Sequence, residues 1–80
     1  MTQAELAELF TDVGRQLYGE QFTAPMAALL SVDRNTVGKW ASGKSRIPPR
    51  LWPELTGIID DRQRKLTELR RATSLAAGWI

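Results

Sequence analysis

No stretch of this chain carries the signals of a β-strand. Its apolar residues recur three and four positions apart, between residues that open and close helices. The pattern predicts an all-α fold of four or five helices in one domain over residues 1–80. Thr2 and Glu5 have the spacing of a capping box, and Leu6, Leu9, Phe10, Val13 and Leu17 follow as an apolar stripe. A first helix is therefore expected over 3–18, with Gly19 as its stop. Gly14 inside that stripe costs ~1 kcal/mol relative to Ala, which points to close approach by another helix.

A second, shorter helix should begin at Thr23 as its cap. Pro25 then falls in the first turn, and Phe22 staples onto Ala27. Met26, Ala27, Leu29 and Leu30 form its buried face, and Ser31 ends it. Asp33 caps the next helix, with Val32 and Val37 as a hydrophobic staple. Val37, Trp40 and Ala41 face inward, and Ser42–Gly43 is the stop. Lys44 to Ile47 is a basic loop before Pro48–Pro49. Pro53 should interrupt the last helical region, because a proline beyond the first turn forfeits a hydrogen bond. A short turn over 48–52 and a helix over 53–72 are expected, with Leu51, Leu55, Ile58 and Ile59 inward. Asp60 with Arg64, and Asp61 with Lys65, are spaced as i,i+4 pairs.

The chain holds 80 residues with neither cysteine nor histidine, while 42% are apolar and 25% charged, the composition of a folded domain. Disulfides, thiolate nucleophiles, Cys or His zinc sites and the commonest general base are all excluded. Asp60–Asp61 is the only adjacent carboxylate pair, and neighbours on a helix point about 100° apart. No Ser, Thr or Lys has a recognisable activating base, and no Gly-rich phosphate loop is present. The sequence thus offers no catalytic residue, no metal ligands and no cofactor site. No apolar run approaches ~18 residues, and no signal peptide is evident, so a cytoplasmic protein with no membrane partner is expected. A domain this short buries only ~60–65% of its unfolded surface and often leans on a partner subunit.

Charge is distributed unevenly. Residues 1–33 hold Arg15 against five acids, a net −4, whereas residues 34–50 hold Arg34, Lys39, Lys44, Arg46 and Arg50 without an acid, a net +5. Residues 51–80 carry +1. A solvated loop could account for such a run, but five bases with no acid among them also suit an anionic partner, most simply a phosphate backbone.

Two short helices joined by a tight turn, the second amphipathic with a basic outer face, make a helix-turn-helix candidate. Phe22 to Gly43, FTAPMAALLSVDRNTVGKWASG, resembles the helix-turn-helix of the Cro/C-repressor (XRE-like) class of phage and bacterial regulators. The resemblance rests on Ala27, Ser31, Val32, Val37, Trp40 and Gly43, with LYGEQF before and SGKSRIPPRLWPEL after, and covers about residues 17–60. Ser31 departs from the family's usual glycine in a left-handed conformation, at a cost of order 1 kcal/mol. Gly38, mid-way along the second motif helix, is also unusual. It weakens the helix by ~1 kcal/mol yet would let the backbone approach a base edge.

With 37, 40 and 41 inward, a helix from Arg34 turns Arg34, Asn35, Gly38, Lys39 and Ser42 outward. Arg and Lys can donate to guanine acceptors, and Asn can pair with adenine. Arg34, Asn35, Thr36, Gly38 and Lys39 are thus the expected base contacts. Gln21, Thr23, Ser42, Lys44, Ser45 and Arg46 are the expected phosphate contacts. Trp40, Trp52, Tyr18 and Phe22 read as packing. In the C-terminal third, Leu55, Ile59, Leu66, Leu69 and Ala76 approach four-three spacing, interrupted by Arg62 and Thr73. Leu66, Leu69, Leu75, Trp79 and Ile80 are the candidate dimer residues.

The expected function is sequence-specific binding of double-stranded DNA by a homodimer on a short inverted repeat, as a repressor or autorepressor. Regulation would come through concentration or a regulatory protein partner. The rival is a protein-interaction module on the same scaffold, such as a phage-encoded inhibitor or an antitoxin-like protein, working through the acidic N-terminal third and the apolar tail.

Overall fold

The computed structural model describes residues 1–79, in which four α-helices and no strand occur: α1 (Gln3–Tyr18), α2 (Thr23–Leu30), α3 (Arg34–Ser42) and α4 (Leu51–Ala77). The chain divides into two compact units, one ending at Ile47 and one beginning at Pro48.

In the first unit α1 packs on both α2 and α3, and α2 packs on α3. Its core is Ala7, Phe10, Phe22, Met26, Ala27, Leu30, Val37, Trp40 and Ile47, with Phe10, Met26 and Val37 fully enclosed. Phe10 and Trp40 meet edge to face, their centroids 5.8 Å apart at 85°. That arrangement suits aromatic quadrupoles, and Trp40 is packing as expected. The buried line of α1 runs through Ala7, Phe10 and Gly14. It is centred one residue away from the expected stripe, so Leu9 stands exposed while Leu6, Val13 and Leu17 are half-buried. In α2 the narrow stripe Met26, Ala27, Leu30 leaves Leu29 outside.

The ends of the helices explain their lengths. The Thr2–Glu5 capping box is formed, the Glu5 N–H donating to Thr2 Oγ1 at 3.2 Å and the Thr2 N–H to Glu5 Oε1 at 3.0 Å. The bond from the Thr2 backbone, then that from its side chain, lowers the Glu5 pKa from its usual 4.5. At α2 the cap is Phe22 rather than Thr23. Thr23 is already the first helical residue, and no side chain caps the N-terminus. The Phe22 ring lies against Gly14, so the close approach inferred at that glycine comes from the residue that opens α2. Ser31 closes α2 in the left-handed region at φ 56, ψ 44. The Val32 N–H donates to Ala27 O at 3.0 Å and the Ser31 N–H to Ala28 O at 3.4 Å, a Schellman closure. Asp33 stands at the start of α3, but its side chain makes no capping bond. Gly43, φ 80, closes α3 in the same way, with the Lys44 N–H on Lys39 O at 2.9 Å.

The last helix differs from expectation. Pro48 to Arg50 form the turn, closed by the Leu51 N–H on Pro48 O at 3.0 Å, and the helix begins at Leu51. Pro53 is therefore its third residue, where an amide N–H would have no intrahelical partner, and no break results. Nothing between residues 72 and 77 opposes a helix, so α4 continues to Ala77 and stops at Gly78. Leu51 and Leu55 are buried, Ile58 and Trp52 are half-buried, and Ile59 is exposed rather than inward. The ion pairs also differ. Asp61 pairs with Arg64, and Glu68 with Lys65 at 3.8 Å, both at i,i+3, in place of the i,i+4 pairs expected.

No helix of the described residues is long and apolar enough to cross a membrane.

Candidate functional site

The outer face of α3 and the start of α2 form one open surface groove. It is lined by Glu20, Gln21, Thr23, Ala24, Arg34, Asn35, Gly38, Lys39, Ser42 and Lys44. The local sequence dictates this arrangement. Val37 and Trp40 are drawn into the core, so at helical spacing Arg34, Asn35, Gly38, Lys39 and Ser42 must turn away from it. The three-residue turn Ser31–Asp33 holds α2 against α3, so the uncapped N-terminus of α2 opens onto the same groove.

Of the expected base contacts, Arg34, Asn35, Gly38 and Lys39 are brought together here, whereas half-buried Thr36 is not in the lining. Of the expected phosphate contacts, Gln21, Thr23, Ser42 and Lys44 line the groove, while Ser45 and Arg46 lie beyond it. The Ser45 N–H is committed to Lys39 O at 3.2 Å, and Arg46 is exposed. The Ser42 hydroxyl donates back to Lys39 O at 3.2 Å, so in this rotamer only its lone pairs face outward. A methyl group at Gly38 would meet nothing within 4 Å, so the backbone there is open to whatever enters the groove.

Electrostatically the groove is basic with a single acid. Arg34, Lys39 and Lys44 have no carboxylate partner among the described residues, where the ion pairs are Arg15–Glu20 and those of α4. Glu20 escaped the sequence reading because it counted only toward the acidic N-terminal third. Gly19, at φ 82, turns the chain so that Glu20 reaches both the groove and Arg15, 3.4 Å away. No buried side-chain polar atom of the described residues lacks a partner, and no group of three or more His, Cys, Asp or Glu could hold a metal ion. The groove is wide and solvated, shaped for a surface rather than for an enclosed small molecule.

A second, smaller groove lies between α1 and the end of α3, where polar bonds join the two. Gln3 Nε2 donates to Gly43 O at 2.9 Å, and the Thr11 hydroxyl lies 3.0 Å from Ala7 O and 3.2 Å from Ala41 O. These contacts fix the end of α3 on α1 and so set the position of the first groove's far edge.

The candidate dimer residues do not share one face. Leu66 and Leu69 stand together on α4, 58% and 48% exposed, but Leu75 lies nine residues from Leu66, half a turn away around the helix. Trp79, 90% exposed, follows the end of the helix, and Ile80 lies outside the described residues. Comparison with protein-family models, with curated proteins and with solved structures finds no match.

Proposed function

We propose that α2 and α3 act as a helix-turn-helix that binds double-stranded DNA in a sequence-dependent way, with α3 as the major-groove helix. In this reading the protein is a homodimeric transcriptional regulator, a repressor or autorepressor on a short inverted repeat. The observation that carries it is the convergence of Arg34, Asn35 and Lys39 with Gln21, Thr23 and Lys44 on one open groove. The bases in that set have no protein counter-ion among the described residues. Arg34 and Lys39 would donate to guanine acceptors, Asn35 would pair with adenine, and Gly38 would allow the backbone close to the base edges. The free N–H groups at the start of α2 suit a phosphate oxygen, and Lys44 a neighbouring one. Occupancy of the operator would itself block polymerase.

Titration of a fluorescent duplex at several salt concentrations tests this. Affinity should fall steeply with salt, and Lys44→Ala or Arg46→Ala should weaken all duplexes alike and reduce the salt slope by about 1. Arg34→Ala or Asn35→Ala should cost about 1–3 kcal/mol and relax sequence preference. Unchanged binding in all four variants would place the interface elsewhere.

A further inference from the structure

Glu20 is the one acid that lines the basic groove, and the base and phosphate contacts assigned above give it no role. Gly19, at φ 82, ends α1 with its N–H on Arg15 O at 2.8 Å. The chain leaving that turn brings Glu20 to the groove two residues before the Phe22 cap, directly ahead of Gln21 and Thr23. The Glu20 carboxylate meets Arg15 Nε at 3.4 Å, with the two side chains 83% and 51% exposed. Arg15 itself lines the second groove, with Glu8 and Asp12, and not the first. Solvent screens a pair this exposed, so Arg15 offsets the negative charge of Glu20 only in part.

Given the DNA binding proposed above, on which this rests, we infer that Glu20 restrains sequence-independent binding. Its carboxylate repels the phosphate that the uncapped N-terminus of α2 attracts. Phosphate contacts draw every duplex alike, whereas Arg34 and Asn35 gain only on bases that match them. An acid on the phosphate side subtracts from the first contribution and leaves the second intact. The end of α1 does not depend on this ion pair, because the Gly19 N–H already closes the helix. A carboxylate that read sequence would instead accept from the cytosine amino group, and its removal would change the preferred bases.

Glu20→Gln removes the charge and keeps the size of the side chain. Titrated into a fluorescent duplex of mixed sequence, this variant should bind more tightly than the unaltered protein. One phosphate contact is worth a slope of about 0.9 in log affinity against log salt, or about 3.5-fold between ~50 and ~200 mM. The advantage of Glu20→Gln should therefore grow by up to about 3.5-fold as salt falls across that range. Glu8→Gln makes the same change in net charge on the second groove and should leave both affinity and slope nearly unchanged. Duplexes selected from a random pool by Glu20→Gln and by the unaltered protein should carry the same preferred bases. Equal tightening by Glu8→Gln would reduce the effect to net charge and overturn the inference. Unchanged or weaker binding by Glu20→Gln would overturn it as well, and so would a changed base preference, which would make Glu20 a reader of sequence. If neither protein binds any duplex at any salt, the DNA reading falls and this inference with it. DNA binding indifferent to the charge at residue 20 would sink the inference alone.

Discussion

A methyl group added at Gly14 would run into Phe22 Cδ1 and stand 2.7 Å from its Cγ, in the body of a buried ring. Overpacking of this kind costs typically ~1–3 kcal/mol, against the ~1 kcal/mol that alanine gains over glycine in a helix. Gly14→Ala should therefore destabilise the protein, by up to about 2 kcal/mol, measured by urea unfolding; a stabilised variant would show the ring free to move. Ser31 presents the reverse case. It is the only non-glycine residue with positive φ among those described, and its left-handed backbone is the conformation that glycine adopts at least cost. Ser31→Gly should raise stability by about 0.5–1 kcal/mol, read from the same unfolding curves, and leave the Schellman bonds to Ala27 and Ala28 in place.

At the scale of the element, Gly38 separates stability from binding. It sits within α3 with open space around it, so Gly38→Ala should stabilise the helix by about 1 kcal/mol. If α3 enters a major groove, the same methyl stands where a base edge must approach, so melting temperature should rise while duplex affinity falls. A rise in both would mean that the backbone at residue 38 does not meet the ligand. Helices α1, α2 and α3 were legible in the sequence to within a residue, because a stop residue follows each apolar stripe and the Thr2–Glu5 box opens the first, although neither Thr23 nor Asp33 caps its helix with its side chain. The start of α4 was not. Its proline pair made the turn end two residues earlier than expected, which moved Pro53 from a breaking position into the first turn. The exposure of Leu9, Leu29 and Ile59 was also hidden, since periodicity gives the direction of a stripe but not its width in a small core. Most of the groove could be read from the inward pull of Val37 and Trp40. Glu20 could not, because its place depends on the Gly19 turn.

Over the whole molecule, a net charge of +2 conceals an acidic first third and a basic middle, and the three basic residues of the groove, Arg34, Lys39 and Lys44, all come from that middle. Such a separation favours an anionic partner on one side and steers its approach, an effect that weakens as salt screens it. On the proposed function this partner is DNA of a particular sequence. The most direct test is selection of duplexes from a random pool by the full protein at near-physiological salt, followed by sequencing. Enrichment of an inverted repeat whose half-sites lie roughly one helical turn, ~34 Å, apart is the expected result. Retention of duplexes without an enriched motif, or no retention at all, would contradict the claim.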